Sequence, residues 1–159
     1  MSWLLILFGL AIVLSPLMWL KQSPHQRKIT ELRRLANTAG MQVTLHRRPD
    51  AREDEKRLET VCYRLPWLEI DHKQHWVLHR YSERGWDSHC PGWRWTINQA
   101  NSEWDALLST VVEHLPQNVD AVMANQLGIG VIWNERGEAE DVDKICTELE
   151  RLRQKAKEI

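Results

Sequence analysis

Residues 76 to 97 read WVLHRYSERGWDSHCPGWRWTI. Two runs rich in aromatic and β-branched residues, Trp76 to Tyr81 and Trp93 to Ile97, flank a connection holding Gly85, Pro91 and Gly92. Runs of that composition, separated by turn formers, read as a pair of strands. Upstream, Val61 to Leu65 reads as another strand, stopped by Pro66. Met41, Val43 and Leu45 alternate with Gln42 and Thr44, which is the period of a half-buried strand. Together these runs predict an antiparallel meander. Between the first two strands, Arg47 to Glu59 is dense in mixed charge and reads as an exposed loop.

Downstream the period changes. Ser102 to Asp105 supplies a cap and an acidic first turn. Trp104, Leu107, Leu108, Val111, Val112 and Leu115 then form one apolar stripe, and Pro116 ends the helix. Asn118 is placed to cap a shorter helix carrying Val119, Val122 and Met123 and closed by Gly128. Ile129 to Trp133 reads as a short, central strand. Glu138 to Lys157 is the clearest helix, with Val142, Ile145, Cys146, Leu149 and Leu152 on one face. Acids crowd its first turn and Arg151, Arg153, Lys155 and Lys157 its last, both favourable to the helix dipole. The prediction for residues 41–159 is a small α+β domain, an antiparallel sheet with helices packed on one face.

The amino-terminal end is different in kind. Ser2 to Leu20, SWLLILFGLAIVLSPLMWL, carries no charge. As a helix its length would be roughly 28 Å, close to the hydrocarbon thickness of a bilayer. Trp3 and Trp19 stand at its two ends, where indole favours the interface. The sequence therefore predicts a single transmembrane helix over 2–20, with Ser15 compensating the hydrogen bond that Pro16 removes. A basic juxtamembrane helix over 21–40 follows, with Ser23 as N-cap, Pro24 at its first position and Gly40 at its end. Lys21, Arg27, Lys28, Arg33 and Arg34 lie at this neck, and the positive-inside rule then puts the domain in the cytoplasm and the amino terminus outside. The same basic residues could meet anionic lipid headgroups. The layout resembles that of small bacterial inner-membrane proteins, a likeness that carries no functional residues with it.

Formal net charge is −1, which gives no global bias toward nucleic acid. The charge is nevertheless segregated. Seven basic residues face the single acid Glu31 between Lys21 and Arg48, whereas eleven acids face Arg136 and Lys144 between Gln99 and Glu150. Cys62, Cys90 and Cys146 are too few and too scattered for a disulfide framework. They fit a reducing compartment.

Two clusters are candidates for function. Imidazole and thiolate ligate zinc, copper and haem iron, so His75, His79, His89 and Cys90 form a candidate metal or haem site across the hairpin. His75 and His79 would share a strand face if the strand were regular. Their spacing matches no zinc or haem-attachment signature. Nine tryptophans are more than a small core needs. Trp95 and Trp104 read as core, while Trp67, Trp86 and Trp93 are candidates for a protein interface. Gly128-Ile129-Gly130 lacks the context of a dinucleotide loop. No catalytic motif stands out, no cofactor is called for, and an enzyme is the less favoured reading. The functional expectation is a membrane-anchored, non-catalytic module that binds another protein as an accessory or assembly subunit. Its partners would be the bilayer and a membrane or cytoplasmic protein, not nucleic acid. The alternative is a membrane-tethered metal or haem protein, or an enzyme, built on the His72–Cys90 region.

Overall fold

The computed structural model describes residues 3–4, 6–9, 12, 23–52, 54–55, 59–68 and 74–158. The chain divides into two units, Met1–Glu31 and Leu32–Ile159. In the first unit, residues 3–4, 6–9 and 12 are helical, and Trp3, Leu4, Ile6, Leu7, Phe8 and Ile12 are exposed.

Among the described residues no helix is long and apolar enough to cross a membrane. That finding overturns the transmembrane helix expected over 2–20. With it fall the bacterial inner-membrane placement, the single-pass topology and the cytoplasmic assignment that rested on them. The described helical residues, 3–4, 6–9 and 12, fall short of the roughly 20 residues a span needs, and Ser15 and Pro16 lie outside the described residues. Trp19 and Lys21, assigned to the interface, lie outside the described residues.

Helix α1, Pro24–Thr38, begins at Ser23. The Gln26 amide donates to Ser23 Oγ at 3.2 Å, and the Ser23 amide donates back to Gln26 Oε1 at 3.3 Å. This reciprocal pair satisfies two amides that the first turn leaves orphaned. Gly40, at φ +83°, lets the chain leave the helix for the sheet. The strands are β1 Gln42–Arg47, β2 Glu59–Pro66, β3 Trp76–Arg80, β4 Trp86–Asp87, β5 Trp93–Ile97, β6 Val119–Asn125 and β7 Gly128–Trp133. They form one sheet in the order β1-β2-β7-β6-β3-β5-β4, with every neighbouring pair antiparallel. Helix α2 is Asp105–His114, preceded by a 3-10 turn over Ser102–Trp104, and α3 is Ala139–Ala156.

Two elements depart from the sequence reading. Val119 to Asn125 is a strand, not a short helix, and forms a hairpin with β7. Val119, Val122 and Met123 fall at helical spacing, but the strand is buried on both faces and so shows no alternation; its pairing with β3 and β7 decides it. β4 lies in the connection predicted between the two runs and, at two residues, is too short to carry a period.

One face of the sheet meets the helices. Tyr63 and Leu65, Trp76 and Leu78, Trp93 and Trp95, Val122 and Ala124, and Ile129, Val131 and Trp133 share a core with α1, α2 and α3. The helices contribute Leu32 and Ala36, Leu108 and Val111, and Ile145 and Leu149. The other face carries a smaller buried cluster of Cys62, Val77, Ala121, Met123 and Ile132.

Gly85 sits where the chain turns back into β4, at φ +86°. A Cβ there would lie 1.8 Å from the Trp95 carbonyl oxygen. Gly85→Ala must therefore push β4 away from β5 and hold a strained φ. We expect a loss of roughly 1–3 kcal/mol in urea unfolding, with β4 amides losing protection first in hydrogen exchange.

Candidate functional site

The structure distributes the four residues nominated for a metal. His75 precedes β3, is exposed, and has its Nδ1 3.3 Å from Asn98 Nδ2. The β3–β5 register shifts between Val77 and Leu78, so the regular strand that would align His75 with His79 is interrupted. His89 is exposed, with Nδ1 3.3 Å from Asp105 Oδ2. Cys90 is buried in the helix-side core, with Sγ 3.7 Å from Ser109 Oγ. Burial raises its thiol pKa, which disfavours the thiolate that a metal needs. His79 points to the opposite face, beside Ala121. No group of three or more His, Cys, Asp or Glu that could hold a metal ion occurs among the described residues.

The tryptophans divide more sharply. Trp76, Trp95, Trp104 and Trp133 are fully buried. Trp93 is buried too, beneath the Arg80 guanidinium at 4.5 Å. Trp67 packs partly against the core and donates its indole N–H to the Asn125 carbonyl at 2.6 Å. Of the three candidates for an interface only Trp86 presents much surface, 44 %. Of the basic residues assigned to the neck, Arg33 is committed inward to Glu135 through two 2.7 Å hydrogen bonds.

A cleft that no motif announced opens where β3 and β6 meet the segment following β1. Its volume is about 560 Å³. The antiparallel pairing of β3 with β6 sets His79 beside Ala121, next in sequence to Asp120. The segment after β1 brings Asp50, which accepts from Arg48 Nε at 2.5 Å and lies 3.4 Å from Ser82 Oγ. Arg84 donates to the Asp50 carbonyl at 3.2 Å.

His79 is only 6 % exposed. Its Nδ1 lies 2.6 Å from the Arg80 carbonyl. A carbonyl only accepts, so Nδ1 carries a proton and Nε2 is the ring nitrogen left free for a ligand. That Nε2 is 3.6 Å from Asp50 Oδ1 and makes no hydrogen bond. Arg80, next in the chain, is fully used elsewhere. It donates to Val112, Pro116 and Gln117 carbonyls at 3.2, 3.4 and 3.0 Å, closing the carboxyl end of α2.

Burial raises the Asp120 carboxyl pKa, against the opposing pull of His79 and Arg80. A carboxyl whose pKa is higher folded than unfolded holds its proton better in the fold. Its ionisation therefore costs stability as pH rises from the unfolded value through the folded one. Asp120→Asn should raise the melting temperature at pH 7 and leave it unchanged near about pH 3, where both side chains are neutral. Thermal unfolding of the two proteins across that range measures it.

The sequence reading found His79 but not its neighbours. Asp50 lay in a charged loop without period, and Asp120 in a segment read as helix. Comparison of the chain with protein-family models, curated protein sequences and solved structures gives no match.

Proposed function

We propose that the domain is a non-catalytic protein-binding module that takes an extended segment of its partner along β1. The observation that carries this reading is the state of that edge. β1 is six residues long, pairs with β2 on one side only, and holds its register without a bulge. It contains neither proline nor glycine, and Leu45 at its middle is 66 % exposed. Sheet edges of this length are ordinarily shortened, bulged or covered, because a row of free N–H and C=O groups recruits another strand. The opposite edge, β4, is kept to two residues. Strand addition supplies affinity through the main chain and selectivity through alternate side chains. Here Leu45 would meet an apolar residue of the partner, and Arg47, on the same face, an acidic one.

Leu45→Lys blocks such an edge by placing a charge on it, and the exposed position should tolerate it. Affinity purification of the full chain is expected to recover a stoichiometric partner that the Leu45→Lys chain fails to retain. A partner held equally by both chains, or none with either, would count against the β1 edge. A mass that doubles with concentration and reverts in Leu45→Lys would instead make the partner a second copy.

A further inference from the structure

The cleft beside His79 is separate from the β1 edge, and its chemistry is specific enough to define a ligand. Its floor is built around one buried group, His79 Nε2, which has no hydrogen-bond partner and can accept when Nδ1 holds the ring's single proton. Beside it Asp50 presents a carboxylate shared with Arg48 and Ser82, and Asp120 lines the same cleft. A buried acceptor left without a donor costs free energy, so a ligand that brings donors gains by seating there. Its rim offers donors. The Arg52 guanidinium has no partner among the described residues, and Arg84 uses one nitrogen on the Asp50 carbonyl. Tyr81 stands at the same rim, 75 % exposed and at φ +61°, a conformation that a non-glycine residue adopts at a cost.

The balance of charge narrows the ligand further. Four guanidinium and four carboxylate groups line the cleft. These eight charges balance among the described lining residues, so neither a bare anion nor a bare cation is favoured by their field as a whole. A molecule that is itself neutral but carries separated charges matches it at both ends. We propose that this cleft binds a compact zwitterion bearing a primary ammonium and a carboxylate, such as a free amino acid. The ammonium, with three donors, sits on the floor against His79 Nε2, Asp50 and Asp120, and the carboxylate meets Arg52 and Arg84 at the rim.

The test is a titration of the full-length protein, followed by the ring nitrogens of His79 and the amides of Arg84 and Asp120 in NMR spectra. The probes are the ω-amino acids from glycine to 6-aminohexanoate, which step the distance between the two charges, with acetate and methylammonium as single-charge controls. At least one ω-amino acid is expected to shift the His79 Nε2 resonance with a Kd of about 1 mM or tighter. Arg52→Gln and Asp120→Asn should each weaken that binding about ten- to a hundredfold, the loss of one charge-assisted hydrogen bond. Neither change removes a hydrogen bond made within the described protein, and circular dichroism checks that both variants fold. Acetate binding as well as the best zwitterion would make the cleft an anion site, and methylammonium doing so would make it a cation site. Either result overturns the proposal, as does the absence of any shift up to about 50 mM. Because Leu45→Lys leaves the cleft intact, it should bind the probe normally even if the β1 reading fails.

Discussion

Trp76→Ala is expected to cost about 3–5 kcal/mol of unfolding free energy, the range for removing a fully buried aromatic. Trp76 is 1 % exposed and sits between two other indoles. Its ring centroid lies 5.8 Å from that of Trp95 and 5.5 Å from that of Trp104, at interplanar angles of 87° and 64°. These edge-to-face pairs add about 0.5–1.5 kcal/mol each beyond the area they bury. The three rings belong to β3, β5 and the turn before α2, so one truncation loosens sheet from helix. Trp76→Phe should lose less, because a ring of the same kind remains. Trp86→Ala, at the sheet edge, should cost about 1 kcal/mol or less. Urea unfolding followed by far-ultraviolet circular dichroism separates the three.

Glu135→Ala is expected to cost about 2–3 kcal/mol, by a different mechanism. Glu135 is buried at φ +59°, and its carboxylate accepts twice from Arg33 and once from the Tyr63 hydroxyl at 2.8 Å. Tyr63 is fully buried and stacks edge-on against Trp133 at 5.1 Å. Removing the carboxylate leaves the hydroxyl without its acceptor in a dry site. Arg33 is 41 % exposed and regains water, so its share of the loss is small. Arg33→Ala alone should therefore cost less than Glu135→Ala. In the double-mutant cycle the coupling should be about 1 kcal/mol and should fall with added salt. Equal costs for the two single changes would show that the ion pair, not the tyrosine hydroxyl, holds this corner.

Much of this architecture could be read from the chain because local signals and tertiary packing agree. Trp76 to Ile97 carries two aromatic, β-branched runs about a turn, and the apolar stripe of α3 is the face that packs on the sheet. That agreement failed in three places. Val119 to Asn125 carries a pattern too short to distinguish strand from helix, and only the ladder to β7 made it a strand. The apolar run from Ser2 is long enough in residues to span a bilayer, yet the described helices contain no span. The abundance of tryptophan suggested a surface, but packing took most of the indoles into one core. The cleft was illegible for another reason. Asp50, His79 and Asp120 are far apart in sequence, and they meet only because β6 returns beside β3 while the segment after β1 reaches Ser82. An open edge is likewise a property of strand order, which alternation in Met41 to Leu45 does not encode.

The central claim, that β1 receives a partner strand, is tested most directly by hydrogen exchange on the full chain alone and with its copurified partner. Amides at alternate positions of Gln42–Arg47, those facing away from β2, should exchange quickly in the free chain and slow by at least about a hundredfold in the complex. Leu45→Lys should abolish that slowing. Unchanged exchange across β1 in a stoichiometric complex, with protection arising elsewhere in the domain, would contradict the claim.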